Sequence, residues 1–107
     1  MAGLFNRKPD GVITSVRYAP NGRQVELVRL YERRGAIYGD LELLTREELV
    51  ERMEAGKKYL IGQRQGNVPG SFATGETVEL FETNDGSVLR TKGSDRFLDF
   101  LEGAPIF

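Results

Sequence analysis

Val12-Ile13-Thr14-Ser15-Val16-Arg17-Tyr18, closed by Pro20-Asn21-Gly22 and followed by the run Gln24 to Arg34, is the stretch whose reading decides the fold class. Its first run is rich in β-branched and aromatic side chains, which suit a pleated, half-buried surface. Pro20 halts that run, and the Asn-Gly pair tolerates the positive φ of a tight hairpin. In the second run Val25 and Leu27 share one parity while Val28 and Leu30 have the other. A one-residue bulge near Leu27 and Val28 would turn all four toward a core, so the second strand is expected to bend there.

Working outward, Gly35 turns the chain into Ala36 to Leu43, where Ile37, Leu41 and Leu43 lie on one face and Tyr38, Asp40 and Glu42 on the other. That alternation predicts a third strand. Thr45-Arg46-Glu47-Glu48 then carries a helix N-cap with an acid three residues on, and Leu49, Val50 and Met53 form an apolar stripe that ends at Gly56. Strands follow at Lys57 to Gln63, at Glu76 to Thr83, and, across Asn84-Asp85-Gly86, at Ser87 to Thr91. Ser94 is placed to cap a short last helix, Asp95 to Glu102, burying Phe97, Leu98 and Leu101.

The order β-β-β-α-β-β-β-α predicts a mainly β, β-rich α+β domain. By element order alone it suggests a small antiparallel Greek-key barrel of OB-like form, with the helix as a plug between the third and fourth strands; an SH3-like roll stays open.

The chain has 107 residues, 39% of them hydrophobic and 29% charged, which suits one globular core. Residues 1–10 read as a polar leader and 11–107 as a single β-rich domain. Cysteine is absent, so disulfides, thiolate metal sites and thiol nucleophiles are excluded, and a reducing, cytoplasmic setting is expected. No run approaches the roughly 20 apolar residues that span a bilayer. Ala2 after Met1 and a final segment without cysteine give no acylation or prenylation signal, so no membrane partner is expected.

Histidine is absent too, so no Ser-His-Asp or Cys-His arrangement exists, and no catalytic, cofactor-binding or metal-ligating residue is assigned. Glu47, Glu48, Glu51 and Glu54 crowd one helix, but Arg52 four residues after Glu48 makes them a solvated, ion-paired face. The stretch Gly62 to Gly75 has four glycines and no Gly-Lys-Ser/Thr, and strand-like Glu76-Thr77-Val78 follows it, which rejects a phosphate-binding loop. Read as a long structureless run, it is either a mobile segment or a binding loop offering Arg64, Gln65, Asn67 and Phe72.

Charge is segregated. Arg7 to Arg34 holds seven basic residues against three acidic ones, whereas Asp40 to Glu54 holds two against six. With the valines inward, Arg17, Arg29, Tyr31, Arg33 and Arg34 are candidates for a basic binding face with an aromatic in it. Such a face suits single-stranded nucleic acid, although it is also what a solvated sheet displays. The acidic pI of 5.5 and Asp85 weigh against nucleic acid.

The favoured expectation is a small non-enzymatic interaction domain that engages a protein partner or itself. One alternative is an OB-like single-strand binder; the other is a small-ligand-binding or enzymatic domain with a pocket at the barrel mouth lined by Tyr38, Tyr59 and the Gly62 to Gly75 loop. Pro105-Ile106-Phe107 is read as docking either on a second subunit or over its own core.

Overall fold

The computed structural model describes residues 9–22, 24–35, 37–64, 72–83, 86–92 and 98–107, with Arg64 and 72–74 as backbone only. Strand β1 (Gly11–Tyr18) and strand β2 (Val25–Arg34) form the expected antiparallel pair. The turn between them is closed by the Ala19 N–H donating to the Gln24 carbonyl at 2.8 Å, and Gly22 takes φ +69°. Strand β3 (Ile37–Thr45) pairs antiparallel with the far side of β2.

Thr45 ends β3 and caps helix α1 (Arg46–Glu54). Its hydroxyl accepts from the Glu48 N–H at 3.2 Å while the Glu48 carboxylate accepts from the Thr45 N–H at 3.0 Å, the reciprocal box that the Thr-x-x-Glu spacing predicts. The Thr45 N–H, and then the Thr45 hydroxyl, hold the Glu48 carboxyl below the ordinary carboxylate range. The apolar stripe turns Leu49 fully into the core, and Gly56 leaves the helix at φ +102°.

The chain then crosses back to lay strand β4 (Tyr59–Arg64) parallel to β1, with Gly11 opposite Tyr59 and Ile13 opposite Ile61. The sheet is therefore mixed rather than wholly antiparallel. Returning after β3 and α1, the chain adds on the free side of β1 in the direction β1 already runs. Strand β5 (Phe72–Thr83) is twelve residues long and serves two neighbours in turn. Its first half pairs with β4 and its second half, from Val78, with strand β6 (Gly86–Thr91). The strand order is β3-β2-β1-β4-β5-β6.

No ladder among the described residues joins β6 to β3, so the sheet is open and the expected barrel closure is absent. A side chain makes the connection instead. Asp99 is 4% exposed. Its carboxylate accepts from the Val25 N–H of β2 at 2.8 Å and from the Leu89 N–H of β6 at 2.9 Å. Arg46, at the start of α1, donates to the same carboxylate at 2.7 Å and to the Ser87 carbonyl at 2.7 Å. Strands that the sheet order separates by three others are thus held together, and Val78, Leu89 and Leu101 join Ile13, Val16, Val28, Leu30, Leu44 and Leu49 in one core.

Several expectations change in physical detail. The bulge in β2 falls at Glu26, between the pairs Arg17–Leu27 and Tyr18–Val25. It brings Val25 into line with Val28 and Leu30 but leaves Leu27 half-buried on the other side. In β3 the apolar-looking face is not the buried one. Leu44 is buried, whereas Ile37, Leu41 and Leu43 are 70%, 49% and 58% exposed.

The cause is the register: Leu43 and Leu41 lie opposite Arg29 and Tyr31, and Leu44 lies opposite buried Val28. Within 98–102 the last segment is not helical; Leu98 is exposed, Phe100 bridges to Arg90, and Leu101 is buried. Both ends of Gly62 to Gly75 lie in strands rather than in a loop, 62–64 in β4 and 72–75 in β5, with Arg64 opposite Phe72, and 65–71 lie outside the described residues.

A second polar cluster lies under α1. Glu32 of β2 is 7% exposed. It accepts from the Tyr59 hydroxyl at 2.9 Å and from Arg52 at 2.8 Å, and Arg52 also reaches Glu42 at 3.2 Å. Burial, and then the neighbouring Glu32 carboxylate, push the Tyr59 phenol well above its ordinary range.

Two outcomes follow from these clusters. Asp99→Ala strands two buried N–H groups and the Arg46 guanidinium, and should lower the unfolding free energy by about 3–5 kcal/mol in a denaturant titration. Because the folded-state pKa of Tyr59 is raised, its contribution to stability is complete below about pH 10 and is lost as pH climbs toward the folded value. Chemical denaturation between neutral and strongly alkaline pH should therefore show a decline in stability that is shallower in Tyr59→Phe.

Candidate functional site

The candidate face is the side of β1, β2 and β3 turned away from α1. Residues directly opposite one another in an antiparallel pair share a face. The pairs on this side are Val12–Tyr31, Ser15–Arg29, Arg17–Leu27, Arg33–Tyr38, Tyr31–Leu41, Arg29–Leu43 and Leu27–Thr45, with Val12 fully buried. None of them contains a carboxylate. Glu32 and Glu42 point to the other side, where Arg52 bridges them, while Glu26 and Asp40, the other acids of these strands, are exposed at the bulges. Part of the charge segregation seen in the sequence is therefore a segregation across the thickness of one sheet.

Of the five residues proposed for a basic face, the structure brings three together. Arg17 and Arg29 are exposed and Tyr31 is half-buried between them and Leu41. Arg33 has the same parity but is committed to backbone carbonyls: its Nε donates to the Pro9 oxygen at 2.8 Å and its Nη1 to the Gly35 oxygen. Arg34 lies opposite Ile37 with the other parity, and its side chain crosses Gly39, where a Cβ would come within 2.7 Å of the guanidinium Nε. Gln65 and Asn67 lie outside the described residues, as do the side chains of Arg64 and Phe72.

What the sequence left open is the last segment, and it completes this face. Val16 N–H donates to the Pro105 carbonyl at 2.9 Å, and the Phe107 N–H donates to the Val16 carbonyl at 3.0 Å. These bonds lay Ile106 parallel to β1, on the same edge that β4 occupies up to Ile13. The Phe107 ring then receives both cations, with the Arg29 guanidinium 4.0 Å and the Arg17 guanidinium 4.9 Å from its centroid. Arg17 Nε also donates to the Phe107 oxygen at 3.3 Å. Of the two readings of Pro105-Ile106-Phe107, the structure places it on its own chain.

Between this segment and β3 lies a shallow groove of about 430 Å³. Thr14, Ser15, Arg29 and Tyr31 form its floor, and Leu41 and Ile106 stand on either side. The Leu41 side is exposed and apolar, whereas Ile106, paired with inward-facing Val16, lines the groove at the end of the segment that delivers the Phe107 ring. Gln63 Nε2 donates to the Thr14 carbonyl at 3.1 Å, which ties β4 to the bulged residue of β1 at the groove end. Among the described residues Arg29 has no carboxylate partner, only the aromatic ring.

Of the residues expected to line the rival pocket, Tyr59 is fully buried with its hydroxyl on Glu32 and lines no opening, and 65–71 of the glycine loop lie outside the described residues. Among the described residues no group of three acids converges as metal ligands would. The helical glutamates Glu47, Glu48, Glu51 and Glu54 are exposed in a row along α1.

Leu41 and Leu43 read as core residues by composition, yet their parity makes them surface. Leu44→Ala should cost about 2–5 kcal/mol of unfolding free energy, whereas Leu41→Ser with Leu43→Ser should cost less than about 1 kcal/mol in total. Equal losses would place both leucines in the core. No family model matches the chain, and neither a curated protein nor a solved structure matches it, so the account of this face stands on its own geometry.

Proposed function

We propose that this protein is a non-enzymatic interaction domain that holds a protein partner on the outer face of β1, β2 and β3. One observation carries the reading: exposed Leu41 and Leu43 lie opposite Tyr31 and Arg29 on a face whose cross-strand pairs hold no carboxylate. Aliphatic side chains beside an arginine with no acid to answer it are the makings of an interface anchor, and they favour a partner segment that brings aliphatic and acidic side chains together. A second copy presenting the same face would set arginine against arginine, which favours a different partner.

Single-stranded nucleic acid is the weaker reading. Arg33 is engaged with carbonyls and Arg34 has the opposite parity, so Arg17 and Arg29 remain. Two cations neutralise about two phosphates, where proteins dedicated to nucleic acid commonly make about 6–10 such contacts. Catalysis finds less support still, because the buried carboxylates of Glu32 and Asp99 are saturated by structural donors.

A random-peptide display selection on the immobilised full chain tests the proposal. Enriched peptides should carry acids next to aliphatic residues, and their retention should fall at least about tenfold on Leu41→Ser with Leu43→Ser, and also on Arg29→Ala. Retention indifferent to those changes, or no enrichment over the bare support, would overturn it. So would stoichiometric capture of a random oligonucleotide pool that Arg29→Ala abolishes.

A further inference from the structure

The segment Ala104 to Phe107 is held in the manner of a bound peptide. The β1–β4 pairing covers Gly11 to Ile13, and β4 then turns its attention to β5. Further along β1, the lane beside it is taken up by Pro105 to Phe107, bonded through one acceptor and one donor to the two backbone groups of Val16. This is strand addition, in which main-chain bonds give hold and alternate side chains give choice.

The alternation is visible here. Ile106 is 73% exposed, while the next residue lays its ring against two guanidiniums. Pro105 offers a carbonyl and needs no partner for a missing N–H, so it starts such a segment at no cost in hydrogen bonding.

The hold is also modest. Two main-chain bonds, one long Arg17 contact and a shared cation–π stack fasten the segment. Gly103, at φ +89°, and a turn in which the Ala104 N–H donates to the Leu101 carbonyl separate it from buried Leu101. Leu101 and Asp99 secure the core on the near side of that turn, so the segment beyond it can leave without opening the clasp.

From these contacts we infer that the lane beside Val16 is a strand-addition site for an extended aliphatic–aromatic segment of a protein partner, which the chain's own Pro105-Ile106-Phe107 occupies in cis. The inference rests on the interaction reading above and adds the chemistry and direction of the segment: parallel to β1, with an aromatic ring delivered onto Arg29 and Arg17. A partner segment enters by displacing the chain's own. The same arginines that stack the ring are then positioned to meet any carboxylate that follows it.

The test uses the full-length chain and the peptide acetyl-Ala-Pro-Ile-Phe, followed by amide chemical shifts. In Phe107→Ala, whose own segment is loosened, about millimolar peptide should give saturable shifts at Val16, Arg17 and Arg29, with an affinity about tenfold tighter than in the unaltered chain. Acetyl-Ala-Pro-Ile-Ala should bind at least about tenfold more weakly.

Phe107→Leu, which keeps apolar bulk and removes the ring, gives the same comparison should the alanine variant not fold. Absence of saturable shifts at those three residues in a folded variant would overturn the inference, as would shifts confined to Leu41 and Leu43. In either case peptide retention that depends on Leu41 and Leu43 would leave the interaction reading standing, so the two failures are told apart.

Discussion

A single carboxylate, that of Asp99, determines how far this sheet can open. Backbone ladders run from β3 through to β6 and stop there, which would leave the β5–β6 hairpin free to swing away from β1 and β2. Asp99 accepts one N–H from β2 and one from β6 and is neutralised by Arg46 from the start of α1. Three elements are therefore fixed by one group that is itself nearly out of water. Burying such an ion pair is costly unless every lone pair finds a donor, and here four donors converge. The geometry this enforces brings Val78 and Leu89 over the β1–β2 hairpin and makes one core out of two meanders.

Fixing the inner side in this way dictates what is left outside. The inner side of β2 and β3 faces α1, where Glu32 and Glu42 meet Arg52. With those two acids drawn inward, the opposite side presents Arg17 and Arg29 and, among the described residues, exposed Leu41 and Leu43. Charge separation and apolar exposure are thus two results of one register. A shift of one residue between β2 and β3 would bury Leu41 and Leu43 and expose Leu44, and it would also take Glu42 away from Arg52.

Most of the element order was legible before any coordinates. Asn21-Gly22, Thr45 with Glu48, Gly56 and Gly86 mark ends by local chemistry, and each falls at an element boundary. What was not legible depends on contacts between distant parts of the chain. Whether Ile37, Leu41 and Leu43 or Leu44 belong inside is undetermined by alternation, because β3 carries apolar residues of both parities and only its pairing with β2 selects one.

Phe97, Leu98 and Leu101 have the spacing of a short helix, yet over 98–101 the segment is not helical and Asp99 serves as an acceptor for Val25, Leu89 and Arg46, while 93–97 lie outside the described residues. Likewise, glycines at 62 and 75 signal a loop in isolation, but both lie in strands. On the candidate face, charge and alternation point to Arg17, Arg29 and Tyr31. Arg34 falls on the other side by alternation with Arg33, whereas Arg33 keeps the parity of Tyr31 but is tethered to carbonyls, which has no local signature.

The last segment shows how the two halves of this design meet. The β1–β4 ladder ends at Ile13, and the backbone of Val16 would then face water on that side. Pro105 and Phe107 satisfy it. The same step that completes the β1 hydrogen bonds places an aromatic ring against Arg29 and Arg17. The repair to the sheet edge and the arrangement of the outer face are consequently one structure.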